Sequence, residues 1–272
     1  MVVYMRKELI KIVKKFPKTA KFMKKVDYQG RHFKVSVGKF LRSHNLYPSK
    51  RYDKLKELKN KYEGKRCFII STGPSLQISD LEKLKGEYCF GMNSIALAFK
   101  DTTWRPNFMG VQDWDVYMKI KDSLESENIE KVFLSRNLSK RIKMPKEYVE
   151  FPLDLLDHCT NFETADTIFS DDCYSMVYDG YTVTYSLMQL AVYMGFKEIY
   201  LLGNDCNYNG NKMYFRDHGV NIFDKDLAVL RYFAAYEVAK KYADEHGIKI
   251  YNATRGGKLE IFERVNFDDI IK

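Results

Sequence analysis

The sequence predicts an α/β protein with a doubly wound, mostly parallel sheet that is preceded by a basic helical N-terminal extension. Two observations favour this fold class. From residue 66 onward, short apolar runs alternate with segments of helical periodicity, which is typical of parallel strands joined by crossover helices. Positive charge is concentrated before that point, because residues 1–66 hold 21 Lys and Arg against five Asp and Glu. We therefore divide the chain into an extension, residues 1–61, and a domain, residues 62–272.

Six apolar runs, each ended by a small or polar residue, are the predicted strands of the domain. They span residues 67–70, 88–91, 108–111, 132–134, 199–202 and 248–251. The clearest predicted helices are residues 182–194, with Gly195 as the C-cap, and residues 226–246. Because strands and helices alternate along the chain, we expect the domain to be Rossmann-like.

The net charge of +9 combines +16 in residues 1–66 with −7 in the remaining 206 residues. Since the domain itself is mildly acidic, nucleic acid is disfavoured as a partner. Apolar residues from Met5 to Phe16 recur every three or four positions, which predicts a basic amphipathic helix that Pro17 interrupts. Such a helix suits an anionic membrane surface, and packing on the domain is the alternative. Residues 45–65 are predicted to be a polar connection with one short helix.

Composition excludes several classes of protein. The five Cys residues form no C-x-x-C pair, which disfavours a disulfide framework and a structural zinc site. The richest apolar stretch, residues 185–196, is shorter than the ~20 residues of a bilayer span. The N-terminus lacks the pattern of a secretory signal. We therefore expect a cytoplasmic protein, bound peripherally at the inner face of the membrane, and the sequence leaves its oligomeric state open.

Polar residues follow five of the predicted strands. Ligands of open α/β sheets bind outside the carboxyl ends of the strands, so residues at these positions are candidates for binding a nucleotide or an activated donor. They are Gly73, Pro74, Ser75, Asn93, Gln112, Asp113, Asp205 and Asn252, together with Thr182 and Thr184 at the start of a predicted helix. Helix capping is the alternative role for the two threonines.

The first of these loops, residues 71–76, has the sequence Ser-Thr-Gly-Pro-Ser-Leu. Gly73 permits a close backbone approach, and Pro74 presets the dihedral angle of a helix start. Unpaired amides at such a start suit a phosphate or a ribose, although the same sequence also serves as a plain strand-to-helix connection. The loop is neither a Walker A motif nor a G-x-G-x-x-G dinucleotide motif.

Together with later motifs, this loop resembles the MptE-like domain family, which is named for an archaeal 6-hydroxymethylpterin diphosphokinase and is found widely in bacterial surface-polysaccharide gene neighbourhoods. The resemblance covers roughly residues 62–265. The motifs that carry it are residues 66–76, Gly91-Met92-Asn93, residues 103–106, Gln112-Asp113, residues 194–203 and residues 250–257.

The same order of motifs is similar to that of the bacterial lipo-oligosaccharide sialyltransferases. These are metal-independent inverting enzymes with one GT-A-like nucleotide-binding domain and a mobile lid. The resemblance places residues 73–75 beside the nucleotide, assigns Thr182 and Thr184 to the donor pocket, and implies a lid around residues 205–224. Two positions depart from the pattern, since Thr72 stands in place of an Asn and Gln112-Asp113 in place of Asn-Pro-Ser.

The resemblance also implies catalytic residues. In the sialyltransferases a Tyr-x-x-His element of the lid supplies the general base, and the corresponding element here, Tyr214 to His218, is one residue longer. A neutral imidazole can accept the proton of an attacking sugar hydroxyl. Tyr208 and Tyr214 match the tyrosines that hold the departing phosphate.

A competing hypothesis assigns a metal ion. Asp113 and Asp115 are spaced by one residue after a predicted strand, which would allow them to coordinate Mg²⁺ on a diphosphate. Many nucleotide-sugar transferases use an Asp-x-Asp motif in this way, and the pterin diphosphokinase has aspartates in the corresponding loop. The alternative role for Asp115 is capping of the following helix.

We therefore expect residues 62–272 to be the nucleotide-binding catalytic domain of a sialyltransferase-like glycosyltransferase of polysaccharide biosynthesis. It would move a sugar from a nucleotide sugar to a cell-surface glycan or glycolipid without a cofactor, while residues 1–60 hold it near an anionic membrane and a lipid-linked acceptor. The first alternative is a Mg²⁺-dependent 6-hydroxymethylpterin diphosphokinase-like enzyme. The second is a non-catalytic nucleotide- or membrane-binding component of a polysaccharide assembly complex.

Overall fold

The computed structural model describes residues 17–47, 50–127, 129–155, 167–207, 213–216, 219 and 225–271. The amphipathic helix predicted within residues 5–16 lies outside these residues. The first described helix, α1, spans Pro17–Ser43. Pro17, which the sequence analysis expected to interrupt a helix, is thus the first residue of α1, a position that proline tolerates.

The segment between α1 and the sheet contains one short helix, as the sequence predicted, but its apolar residues pack in the core, so it is not a polar connection. It contains a 3₁₀ turn at Lys50–Tyr52 and the short helix α2, Asp53–Lys56. Its apolar residues recur every three or four positions, so they face the same side and are buried in the core. These residues are Tyr52, Leu55, Leu58 and Tyr62. The packed body of the protein therefore includes residues from 50 onward.

The rest of the chain alternates between strands and helices. The first half contains β1 (Arg66–Ile70), α3 (Ile78–Lys83), β2 (Cys89–Met92), a 3₁₀ helix (Asn93–Ala98), β3 (Phe108–Val111), α4 (Trp114–Ser126), β4 (Lys131–Ser135), α5 (Arg136–Ser139) and β5 (Val149–Phe151). The second half contains β6 (Leu153–Asp154), β7 (Val177–Tyr178), α6 (Val183–Tyr193), β8 (Glu198–Leu202), α7 (Lys225–Glu245), β9 (Lys249–Asn252), β10 (Glu263–Arg264) and α8 (Phe267–Ile270).

Within the described residues, eight strands form one sheet in the order β10-β9-β8-β1-β2-β3-β4-β5, and every neighbouring pair is parallel. β6 and β7 form a separate parallel pair. The predicted Rossmann-like, doubly wound fold is confirmed, and all six predicted strands belong to the sheet. The strand order reverses at β1, where Ile70 is paired with Gly91 of β2 on one side and with Leu202 of β8 on the other. Ligand sites of doubly wound sheets lie at such a reversal.

Side chains of the strands alternate between two hydrophobic clusters, one on each face of the sheet. In β1, Phe68 and Ile70 belong to one cluster, whereas Cys67 and Ile69 belong to the other. α6 packs in the cluster that contains Cys67 and Ile69, and ten of its 11 residues are buried. Gln189 is buried in this helix together with the smaller polar residues Thr184 and Ser186, and hydrogen bonds compensate for its burial. Its Oε1 accepts from the amides of Ser170 and Tyr178 at 3.2 and 3.0 Å, and its Nε2 donates to the Tyr178 carbonyl at 2.7 Å.

α1 is attached to the body through Arg42, which is only 6% exposed. Its Nε donates to the Ser175 carbonyl at 2.7 Å, and its guanidinium lies over the rings of Tyr47 and Tyr52. The opposite face of α1 exposes apolar side chains at helical spacing, namely Val26, Phe33, Val37 and Phe40. In the described part of the chain, none of the helices has the length and apolar character needed to span a membrane.

Candidate functional site

A cleft of about 600 Å³ lies at the carboxyl ends of the strands, where the strand order reverses. Its volume falls within the roughly 300–1,000 Å³ range of small-molecule sites. The structure brings together eight of the predicted site residues in its lining, which are Gly73, Asn93, Gln112, Asp113, Thr182, Thr184, Asp205 and Tyr214. Of the predicted residues that the structure describes, Pro74, Ser75, Asp115 and Asn252 lie outside the lining.

The loop after β1 packs directly on the loop after β8. The Gly73 amide donates to the Gly203 carbonyl at 2.8 Å. A Cβ atom at position 73 would lie 2.5 Å from that carbonyl oxygen and would overlap the carboxylate of Asp205. Because any side chain would force these two loops apart, the close approach expected of Gly73 is a contact within the protein itself.

The first loop does not lead directly into a helix, which differs from the prediction for Pro74. α3 begins at Ile78, and its amides are capped by the side chains of Gln77 and Asp80. Ser75 donates from its hydroxyl to Asp205 Oδ2 at 2.8 Å and from its amide to the same oxygen at 3.4 Å. The Ser75 amide, in the loop that the sequence analysis assigned to a phosphate or ribose, therefore donates to the Asp205 carboxylate of the protein itself.

Asp205 is a buried carboxylate at the floor of the cleft, with 8% of its surface exposed. Burial raises the pKa of its carboxyl above the usual value, and the hydrogen bonds from Ser75 oppose that shift. No Lys or Arg among the described residues pairs with it. A buried carboxylate without a cation is costly, so this position favours a ligand that brings positive charge or a hydrogen-bond donor.

Two amide side chains and a carboxylate line the side of the cleft next to β3 and β4. Gln112 follows β3 and donates from Nε2 to Asp179 Oδ1 at 2.9 Å, while the Tyr181 amide donates to Asp179 Oδ2 at 2.9 Å. Asn137, in α5, donates from Nδ2 to the Gln112 carbonyl at 3.3 Å. These hydrogen bonds fix the orientation of both amides.

Asn93 follows β2 and takes the left-handed conformation, with φ of 43°. Asparagine tolerates this conformation better than other residues with a Cβ atom. The side-chain oxygens of Asn93, Gln112 and Asn137 are buried and accept no hydrogen bond. All three residues line the cleft, but these oxygen atoms themselves have almost no accessible surface.

Thr182 and Thr184 position the N-terminus of α6 at the cleft. Thr182 is the N-cap, and its hydroxyl accepts from the Thr184 amide at 3.3 Å. The Thr184 hydroxyl lies 3.1 Å from that of Ser71, which follows β1. The capping role considered for these threonines therefore applies to Thr182, while Thr184 joins α6 to the first loop.

Asp113 and Asp115 do not form a paired site in the cleft. Asp113 is the N-cap of α4, and its Oδ1 accepts from the Val116 amide at 2.9 Å. Asp115 is exposed in the first turn of α4 and lies outside the cleft lining. The capping role that the sequence analysis considered for Asp115 thus belongs to Asp113, because the helix begins one residue after it.

Asn252 is buried behind the cleft and its side chain is used within the fold. Its Nδ2 donates to the Leu259 carbonyl at 2.6 Å, and its Oδ1 accepts from the Thr254 amide at 3.0 Å. Both ends of the amide are therefore engaged in holding the turn after β9. This arrangement explains why a polar residue ends β9 without reaching the cleft.

The predicted catalytic residues belong to residues 205–224, the segment that the resemblance assigns to a lid. His218 and Tyr208 fall outside the described residues, whereas Tyr214 lines the cleft. The Phe215 amide donates to the Thr72 carbonyl at 2.7 Å, which holds residues 213–216 against the first loop. Arg216, a cation in the same segment, forms an ion pair with Asp101.

The electrostatics of the lining are acidic. Its charged members, as far as the structure describes them, are Asp113, Asp179 and Asp205, with no Lys or Arg. No group of three or more metal-binding side chains occurs in the described ranges. Mg²⁺, however, usually binds one or two carboxylates together with waters and substrate phosphates. Asp205, which has no cationic partner among the described residues, is one such carboxylate, whereas Asp113 follows β3, three strands away from β8, and caps α4.

Two lining residues that sequence reasoning did not select are Asn137 and Asp179. Asn137 follows β4, so the rule that singles out strand ends would have found it. Asp179 follows β7, a strand of two residues that carries no recognisable period. Its neighbours Gly180 and Tyr181 both have positive φ, and this turn aims the Asp179 carboxylate at Gln112.

Comparison with models of known protein families gives one match. A family model described as 6-hydroxymethylpterin diphosphokinase MptE-like matches residues 42–211. The matched segment covers more than half of the 272 residues and includes the cleft residues that follow β1, β2, β3 and β8. No curated protein matches the chain.

The raised pKa of Asp205 predicts a pH-dependent stability. The folded protein holds this proton more tightly than the unfolded chain, whose Asp residues titrate near pH ~4. Wild-type stability is therefore lost as the pH rises through the folded-state pKa. Asp205→Asn keeps an acceptor for Ser75 but carries no charge. In urea unfolding, the variant should gain stability over the wild type as the pH rises from the acidic end towards neutrality.

Asp113→Asn is the matched control for this experiment. Asp113 is exposed and caps α4, and Asn caps a helix as well as Asp does. Its free energy of unfolding at neutral pH should therefore stay close to that of the wild type. A stability difference for Asp205→Asn that is the same at every pH would contradict the assignment of a burial cost to this carboxylate.

Proposed function

The chain belongs to the MptE-like family, and on that premise we propose that it is a nucleotide-dependent transferase, specifically a glycosyltransferase that moves a sugar from a nucleotide sugar to a hydroxyl of a cell-surface glycan or glycolipid. The observation that carries this proposal is the cleft at the reversal of strand order, whose volume suits one nucleotide-sized ligand. Its wall carries several hydroxyl and amide groups, which suit a sugar or a nucleoside.

In the proposed reaction, the oxygen of the acceptor hydroxyl attacks the anomeric carbon of the donor sugar. The bond between that carbon and the phosphate oxygen breaks, and its electron pair leaves with the nucleotide. His218 accepts the proton of the attacking hydroxyl. Tyr208 and Tyr214 donate hydrogen bonds to the departing phosphate, and the N-terminus of α6 adds a favourable dipole.

The contact between Phe215 and the first loop supports this assignment. It holds residues 213–216 at the cleft, and Tyr214 is in the lining. His218 follows Tyr214 by four positions, so both belong to the same segment of the chain. No metal ion takes part in this form of the proposal.

A second candidate is a Mg²⁺-dependent diphosphokinase, which the acidic lining favours. A diphosphate in a cleft with three Asp and no described Lys or Arg needs a cation. Asp205 would hold Mg²⁺, which would neutralise the phosphate charge when bound. The substrate of the enzyme named in the family description, 6-hydroxymethylpterin, is the natural acceptor to test.

One assay separates the two candidates. We expect turnover of one nucleotide sugar from a panel of CMP-, UDP- and GDP-linked donors, measured as nucleotide release, with the same rate in EDTA. ATP consumption that depends on 6-hydroxymethylpterin and stops in EDTA would support the diphosphokinase instead. Failure of every nucleotide to bind or react would contradict both.

His218→Ala tests the proposed general base in the same assay. Loss of the imidazole should lower the transfer rate about 100-fold or more, while the dissociation constant of the donor stays within about twofold. His246→Ala is the matched control, because His246 is exposed at the end of α7. Unchanged turnover of His218→Ala would remove this residue from the mechanism.

We also propose that α1 binds an anionic membrane surface. Val26, Phe33, Val37 and Phe40 form an exposed apolar stripe on the face of α1 opposite to Arg42. Residues 1–66 carry a net charge of +16, so two copies of the extension repel each other, whereas anionic lipid attracts it. This argument favours a membrane over a second copy as the partner of the stripe.

A double variant tests the membrane proposal. Phe33→Ser with Phe40→Ser removes two exposed aromatic side chains, each of which would contribute about 1.5–3 kcal/mol on insertion. Co-sedimentation with phosphatidylserine vesicles should weaken at least 10-fold. The control is Met118→Ser with Leu230→Ser, which alters exposed apolar residues outside α1. Equal sedimentation of the wild type and the double variant would contradict the proposal.

A further inference from the structure

A second space, of about 420 Å³, lies between α1 and the β6–β7 pair. The residues that α1 contributes recur every three or four positions, so they share one flank of the helix. Among them are Tyr28, His32, Ser36, Lys39, Phe40 and Ser43. On the other side the lining includes Asp154 and Tyr178, which are partners in the β6–β7 pair. We call this space the α1 groove.

Lys39 is held in a fixed position at the α1 groove. Its Nζ donates to the hydroxyl of Tyr178 at 2.9 Å and lies 5.4 Å from the centre of the same ring. Tyr178 is 7% exposed and packs in the core, so it can hold the ammonium group in place. An ammonium group has three N–H donors, of which Tyr178 takes one. No carboxylate among the described residues forms an ion pair with Lys39.

Two more side chains extend the polar surface along the same flank of α1. His32 Nδ1 lies 3.5 Å from Ser36 Oγ, and both residues are exposed, as is Lys39. Asp154 is the one acidic member of the lining that the structure describes, and only 8% of its surface is exposed. The accessible part of the groove therefore presents ammonium, imidazole and hydroxyl groups.

The charge of α1 favours an anionic ligand in the groove. The helix contains eight Lys and Arg residues and one Asp. A helix with this excess of positive charge raises the local concentration of anions and repels cations. Lys is also a common ligand of phosphate groups in proteins.

The groove lies beside the exposed apolar stripe of α1. Phe40 belongs to both, and the groove occupies the flank between the stripe and the face that carries Arg42. A helix that inserts its apolar face into a membrane sinks about 5–10 Å into the boundary between headgroups and acyl chains. The flank of α1 would then lie at the level of the lipid phosphates.

We propose that the α1 groove binds the terminal phosphate group of a membrane lipid, with Lys39, His32 and Ser36 as hydrogen-bond donors. The inference rests on the proposed binding of α1 to a membrane and names the lipid group that α1 recognises. A terminal phosphate carries roughly −1.5 to −2 charges and three strong acceptor oxygens, which match three donor side chains. The phosphodiester of phosphatidylserine has one free oxygen fewer and lies beneath its own headgroup, so it fits less well.

The α1 groove is adjacent to the cleft. Asp154 and Tyr178 line the groove, whereas the residues that follow them in the chain, Leu155 and Asp179, line the cleft. Because successive residues of an extended chain point to opposite sides, the β6–β7 pair lies between the two spaces. A lipid bound in the groove would therefore keep the cleft close to the membrane surface, where a glycolipid acceptor lies.

The experiment compares two anionic lipids at the same surface charge. Phosphatidylcholine vesicles carry either phosphatidic acid, which ends in a phosphate, or phosphatidylserine, and their zeta potentials are matched. Co-sedimentation of the full-length protein should show about 10-fold tighter binding to the phosphatidic acid vesicles. Equal affinity for the two vesicles would overturn the inference and leave the membrane proposal standing.

Lys39→Gln connects this preference to the groove and should bring the ratio of the two affinities towards one. Lys34→Gln is the matched control, because Lys34 is exposed on α1 and lies outside the groove lining. Loss of one positive charge should weaken the binding of either variant to both vesicles about fivefold, so only the ratio reports on the groove. A ratio that stays at the wild-type value in Lys39→Gln would overturn the inference.

Ser36→Asp is a second variant, which places a negative charge in the groove and should also abolish the preference for phosphatidic acid. Its matched control is Gln29→Asp, which adds the same charge at an exposed position of α1 outside the groove lining. The control should bind both vesicles more weakly and keep the wild-type ratio. The same ratio in both variants would assign the preference to the overall charge of α1 and overturn the groove as the site.

Glycerol 3-phosphate separates a lipid from a soluble phosphate as the ligand, because it carries the terminal phosphate without acyl chains. Calorimetric titration should show binding at least about 10-fold weaker than to phosphatidic acid vesicles, since insertion of the apolar stripe adds to the affinity for lipid. Equal affinity would overturn the assignment to a lipid. Absence of binding to both anionic vesicles would overturn the membrane proposal, and the inference with it.

Discussion

The pairing of β1 with β2 on one side and β8 on the other is the constraint on which the rest of the structure depends. It places the loops after β1 and β8 side by side, so that Gly73 and Gly203 join through a backbone hydrogen bond. Asp205 then packs against the bare backbone of Gly73, where a Cβ atom would not fit. The floor of the cleft is thus built by contacts between loops, before any ligand is considered.

The polar groups of the cleft differ from those of a typical phosphate site. A phosphate cradle usually offers backbone amides or cationic side chains, yet here the amide of Ser75 donates to Asp205 and the described charges of the lining are acidic. Recognition would therefore come from the heterocycle or the sugar more than from the phosphate. The cost of keeping Asp205 buried is the kind of local instability that binding sites retain for function.

Much of the fold could be predicted from the sequence, because buried parallel strands appear as apolar runs bounded by polar residues. β3 occurs at the residues predicted, and α6 begins directly after Thr182, for which capping was the alternative role. The site was less predictable. Asp179 follows a strand that is too short to show a period. The hydrogen-bond acceptor of Ser75 is the carboxylate of Asp205, which lies 130 positions later in the chain. Strand ends indicate which residues gather at one edge, but not which of them bind each other.

The distance along the chain between β1 and β8 has a consequence for biosynthesis. Arg66 and Glu198, which are partners in the sheet, are 132 positions apart. At about 5–20 residues per second, a ribosome needs on the order of ten seconds to deliver β8 after β1 has emerged. During that interval one edge of β1 has no partner, and an unpaired apolar edge invites association with other nascent chains. Protection by chaperones would therefore matter most while the middle of the polypeptide is still being translated.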